Sequence, residues 1–195
     1  MTDTAPDHRR ATAERNSGAI LDAVETLLER GSQISVTAVA AEARVSRMTV
    51  YAHFPAREDL LGAAIERAVQ RAGVAMEAAE LQKGSALDVL GRVIDIAWRE
   101  LDRNRAVAAA GADHLASAEI MRLHDAAMRP IRDLLERGRE EGVFRSDLPA
   151  DWLVTAFFAL LHAGGDEVRR GSMEVDAAPA VLTTTIRSLF TGTDR

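Results

Sequence analysis

Arg47, Thr49, Tyr51 and His53 lie within seven residues of one another, and each can donate a hydrogen bond; Met48 adds an apolar thioether among them. Donors so placed suit phosphate oxygens and the edges of DNA bases. A guanidinium can hold guanine O6 and N7 through two parallel hydrogen bonds, which makes Arg47 the candidate for direct base readout. Met48 can pack on a thymine methyl. Thr49 and Tyr51 suit phosphate, which sets register. His53 can reach phosphate or interact favourably with the C-terminal dipole of its helix. Arg44, Arg47 and Arg57 supply positive charge, and no Asp or Glu lies between Arg44 and Arg57. A plainer role stays open for several: a solvated charge for Arg47, a surface apolar residue for Met48, a core aromatic for Tyr51, an ion pair with Glu58 or Asp59 for Arg57.

These side chains need a short, well-placed helix. Val36, Val39, Ala40 and Ala43 recur at helical spacing, with Ser35 as N-cap. A second helix runs from Arg47 to His53, capped by Ser46, with Val50 and Phe54 turned inward; Pro55 stops it. Only Arg44 and Val45 lie between the two, with Val45 predicted to be buried. Two helices joined this closely form a helix-turn-helix, whose second helix fits the major groove.

The pattern V-S-x-x-T-V-Y-x-H-F-x-x-R-E-x-L-L over residues 45–61, after A-x-x-A-x-V over 40–45, resembles the TetR family of bacterial transcriptional regulators. The resemblance is close over about residues 12–65 and extends beyond them only in layout, helped by G-V-F-R-S-D-L-P-A-D-W-L-V at 142–154. It adds Thr37 to the candidate DNA contacts, because relatives often carry a polar contact there. It places Arg57 at the phosphate backbone. The family usually has Gly in the turn, where this chain has Arg44; either the turn keeps negative φ or Arg44 bears mild strain.

The remainder reads as all-α. Residues 1–14 look like a flexible arm. Helices are expected at 13–30, 57–81, 86–104, 105–112, 117–141, 150–170 and 177–191, with Pro130 kinking one and Gly164–Gly165 interrupting another. The helix at 86–104 is apolar nearly all round. This gives a DNA-binding domain over 1–56 and a ligand-binding and dimerisation bundle of about six helices over 57–195. The resemblance implies that the last two helices pair with their copies in a second subunit and that the bundle holds a small-molecule pocket. Leu153, Phe157, Leu160, Leu161, Ile186, Leu189 and Phe190 form the expected dimer stripes. Met121, His124 and Met128, spaced by three and four residues, with Trp98 and Phe157, are the pocket candidates; core packing is the plainer role of each.

Other chemistry lacks its residues. The chain has no Cys, and its only Lys is Lys83. No G-x-S-x-G, H-E-x-x-H, Walker loop or G-x-G-x-x-G occurs, so no catalytic residue, metal site or cofactor is expected. Met1–Arg15 is too polar for a signal peptide, and no run is apolar enough for a membrane span, so a cytoplasmic protein is expected. Net charge is −6. Residues 1–71 hold nine Arg against ten acids, so DNA binding must rest on local charge placement. The expected function is a ligand-responsive repressor that binds a palindromic double-stranded DNA operator as a homodimer. A small molecule would release it by shifting populations between states. The alternative is an all-helical small-molecule-binding or scaffolding protein in which residues 35–61 are structural.

Overall fold

A computed structural model describes residues 5–114 and 117–192, with side chains placed for residues 10–111, 122 and 128–192. Every regular element among the described residues is an α-helix. In chain order they are α1 (Ala5–Glu29), α2 (Val36–Glu42), α3 (Arg47–His53), α4 (Arg57–Ala78), α5 (Ala86–Arg103), α6 (Arg105–His114), α7 (Ser117–Glu140), α8 (Ala150–Arg169) and α9 (Ala178–Thr191). The arm expected over residues 1–14 is helical from Ala5 onward. Pro6 stands in the first turn, where a missing N–H is no loss, and Arg10 Nε donates to Glu14 Oε1 at 3.1 Å one turn ahead.

The chain forms two compact units, Met1–Arg67 with Ala106–Leu123 and Ala68–Arg105 with His124–Arg195. In the first, α1, α2 and α3 pack on one another. Ile20, Val24 and Leu27 of α1, Val39 of α2, Val50 of α3, and Leu60, Leu61, Ala64 and Ile65 of α4 are buried. Arg67 fixes α4 to α1. It donates to the Gly18 carbonyl at 3.3 Å, to Asp22 Oδ1 at 2.8 Å and to Glu25 Oε1 at 3.1 Å, three acceptors about one turn apart along α1.

In the second unit, α5, α8 and α9 pack mutually around one apolar core, joined by Met76 of α4 and by Met128, Ile131, Leu134 and Leu135 of α7. The expected break at Gly164–Gly165 does not occur; α8 runs through it. A Cβ on Gly164 would lie 3.2 Å from the Leu182 side chain of α9, and one on Gly165 would lie 3.4 Å from Leu101 of α5. The pair is there to let helices approach, which outweighs its low helix propensity. α7 carries Pro130 inside it without ending there. α5 is less uniformly apolar than its sequence suggests: Asp88, Asp95 and Arg99 keep a stripe of it in water.

At the end of α7 the chain turns back through Gly142, at φ 71°. Val143 N donates to the Gly138 carbonyl at 2.9 Å. Phe144 thereby comes down on Gly138, where a Cβ would sit 1.9 Å from the ring. The Phe144 ring meets Phe190 edge-on at 5.6 Å, and Phe190 lies 6.3 Å from Phe157. Gly138→Ala is therefore expected to destabilise the chain by about 1–3 kcal/mol through overpacking, read as a lowered urea midpoint with unchanged slope. An unchanged midpoint would show that Phe144 is free to move away.

Candidate nucleic-acid interface

α2 and α3 both begin on a serine. Ser35 accepts from Ala38 N at 3.2 Å, and Ser46 accepts from Thr49 N at 3.0 Å. At the other end of α3, Phe54 N donates to the Val50 carbonyl at 2.8 Å. Val50 is buried, Phe54 nearly so, and this pair anchors the helix from below.

The turn between the helices resolves the question posed by Arg44. Val45 N donates to the Ala40 carbonyl at 3.0 Å, and Arg44 N donates to the Ala41 carbonyl at 3.3 Å. This is a Schellman ending, which places Arg44 at the position glycine usually takes. Arg44 adopts φ 55°, in the left-handed region. An L-residue with a Cβ there is disfavoured by roughly 1–2 kcal/mol. Val45 is half-buried rather than buried.

The outward face of α3 is left for solvent. Met48 is 77% exposed and Tyr51 50% exposed. Arg47 is also exposed, and among the described residues neither Arg47 nor Arg44 makes a side-chain hydrogen bond or ion pair. Thr49 is half-buried, and its Oγ1 lies 2.8 Å from Ser46 Oγ, so the hydroxyl already serves the helix start. His53 is half-buried with its ring 6.2 Å from that of Phe54. Thr37 is exposed near the start of α2. Arg57 is half-buried, and its Nε donates to the Ile34 carbonyl at 3.1 Å, tying the first turn of α4 to the segment before α2. Asp59 closes that turn by accepting from Ala56 N at 2.8 Å. The arrangement presents a free guanidinium, an apolar thioether and a phenol on one rigid, acid-free helix.

Residues 20–64 match the family model for bacterial regulatory proteins of the tetR family. The transcriptional repressor LfrR of Mycolicibacterium smegmatis is 28% identical over 190 residues, spanning 96% of this chain and 97% of LfrR. The chain belongs to the TetR family. The crystal structure of LfrR with proflavine superposes with a TM-score of 0.69 at 27% identity, covering 90% of this chain and 96% of that one. A TetR-family protein from Rhodococcus sp. gives 0.75 at 23% identity, over 91% and 99% of the two chains. A regulator from Saccharomonospora viridis solved with choline gives 0.72 at 24%, over 94% and 100%. The chain is thus a TetR-family transcriptional regulator, and its helix-turn-helix is α2–α3. No helix among the described residues is long and apolar enough to cross a membrane.

The other sequence candidates of this TetR-family chain fall within its second unit, apart from Met121, which belongs to the first. Trp98, Met128 and Phe157 are buried in one common core. The side chains of Met121 and His124 lie outside the described residues. Of the dimer candidates, Leu153, Phe157, Leu161, Ile186 and Phe190 are buried inside their own chain, while Leu160 and Leu189 are half-buried beside them. The stripes that looked like a subunit surface are spent on the chain's own core, because α5 packs on both helices. The outward side chains of α8 and α9 include Trp152, 57% exposed, and Val181, 46% exposed. Sequence periodicity puts Val181 on the apolar stripe of the last helix and does not single out Trp152. Arg67 was missed too, since nothing in its spacing marks a contact to a helix some forty residues earlier.

If Arg44 is strained as its φ implies, Arg44→Gly should stabilise the ligand-free protein by up to ~1 kcal/mol, the greater freedom of glycine in the unfolded chain offsetting part of the relief. Thermal unfolding checks this; a drop in midpoint would mean that the Arg44 side chain contributes more than its backbone conformation costs.

Proposed function

We propose that this protein is a ligand-responsive repressor that binds a palindromic operator as a homodimer. The observation that carries the reading is the outward face of α3. A helix that leaves Arg47 without a partner and exposes Met48 and Tyr51 is poorly explained as a structural element, and well explained as one that enters a major groove. Arg47 reads a base and Met48 packs on a methyl. Tyr51, with Thr37 and His53 at the margins, meets phosphate. Thr49 acts through its backbone and through Ser46, and Arg57 acts mainly by fixing α4 to the head. Residues 1–56 carry the reading unit and residues 57–195 the effector and dimer functions.

A palindromic operator requires a two-fold partner whose reading helix lies one DNA turn away, about 34–36 Å. Trp152, Thr155 and Ala159 on α8, with Val181, Thr184 and Ser188 on α9, are partly or wholly exposed and carry no charge. A large aromatic among small uncharged residues suits a self-complementary helical interface. That LfrR was solved with proflavine and another relative with choline supports a small-molecule effector, held within the helical unit near Trp98 and Met128.

Selection of bound fragments from a random DNA pool should return an inverted repeat. On it, Arg47→Ala should weaken binding by ~1–3 kcal/mol and relax preference at one base pair per half-site. Equal affinity of parent and variant would remove Arg47 from base readout. Separately, Trp152→Glu combined with Val181→Glu should give a folded monomer with reduced operator affinity. Sedimentation at micromolar concentration decides this, and a dimer that survives the double change would place the interface elsewhere.

A further inference from the structure

Among the described residues Glu100, on α5, is the one charged side chain withdrawn from water, at 8% exposed. Its Oε1 pairs with Arg103 Nη1 at 3.0 Å, and Arg103 itself is largely in solvent. Its Oε2 is buried and has no hydrogen-bond partner among the described residues. The neighbouring amide offers it nothing: Asn104 Nδ2 donates to the Glu100 backbone carbonyl at 2.7 Å, and Asn104 Oδ1 accepts from Arg71 Nη2 at 2.8 Å. One turn earlier on the same face of α5 lie Ile96 and Ala97, both half-buried and apolar.

A buried carboxylate oxygen without a donor is unfavourable, and an amide or an aliphatic residue would fold as well or better at this place. What the carboxylate offers over either is a negative charge and acceptors only. An anionic ligand would be repelled, and a neutral one would bring no charge to the oxygen that Arg103 leaves open. A divalent metal would need further ligands, and no group of three or more His, Asp or Glu side chains among the described residues could supply them. We infer that Glu100 is the counter-ion for an organic cation, a protonated amine or a charged heteroaromatic ring, bound in the helical unit against the apolar face of α5. This rests on the reading of the protein as ligand-responsive and names the chemical class of its effector. In the ligand-free state Arg103 holds Oε1 from the solvent side. A bound cation takes Oε2 and competes with Arg103 for the charge.

The test uses the full-length protein with proflavine followed by fluorescence, choline followed by calorimetry, and resorcinol as a neutral aromatic. The parent should bind at least one of the two cations. Glu100→Gln should weaken that binding on the order of tenfold to a hundredfold while keeping or raising the thermal midpoint of the ligand-free protein. Arg103→Gln, which leaves Glu100 in place, should tighten it severalfold, an effect that a purely structural Glu100 would not produce. If Glu100→Gln does not fold, the Arg103→Gln result decides alone. Failure of the parent to bind either cation, undiminished binding by Glu100→Gln, or unchanged or weaker binding by Arg103→Gln each overturns the assignment. Should resorcinol release operator from the parent and from Glu100→Gln alike while neither cation binds, ligand control stands and the cation site falls. Should a cation bind through Glu100 without releasing operator, the site stands and ligand control falls.

Discussion

A helix of seven residues cannot hold itself together in water, and α3 has only seven. Isolated helices shorter than about 12–15 residues are marginal even with the best formers. The first unit is built around that deficit. Ser46 and the Phe54 amide satisfy groups at the two ends, and Val50 supplies the single fully buried side chain of the helix itself. Because anchoring is delegated to caps and to one narrow apolar edge, the rest of the surface is released from structural duty. The left-handed Arg44 belongs to the same bargain: a Schellman ending reverses the chain in the fewest residues, and the short turn holds α3 against α2.

The second unit works by different means. Its core is a contiguous set of aliphatic side chains with Phe144, Phe157 and Phe190 at the centre. Glycine at positions 138 and 164 allows close approach where a methyl would press on a neighbouring side chain, and a methyl on Gly165 would just reach Leu101. Against this consistent packing Glu100 stands out as a local contradiction. Natural sequences tend to break their own rules where function demands it.

The reading helix was legible from sequence because its signals are local. Ser35, Ser46, Pro55 and the spacing of Val39, Ala40 and Val50 act within one or two turns, and the caps fall where their residue types place them. What covers the apolar stripes of α8 and α9 was not legible. Leu153, Phe157, Leu161, Ile186 and Phe190 form a stripe on either account, and periodicity reports that a face is buried without reporting by what. Only the packing of α5 on α8 and α9 settles that these residues face their own chain. Gly138 and Gly164 were opaque for a similar reason: as residues they lower helix propensity, and their purpose appears only with Phe144 and Leu182 in place. Glu100 had no sequence signal beyond being one charge on a helix with several.

Lysine occurs once in the chain, at position 83, in the link between α4 and α5. Every basic side chain of α1–α3 that is not histidine is therefore a guanidinium. Enzymes that silence DNA-binding surfaces by acetylating lysine have no target amine on those helices. The positive charge facing a nucleic acid is carried by groups whose planar donor geometry matters as much as their sign. Lysine acetylation is thus no route to silencing these helices, whichever other means controls them.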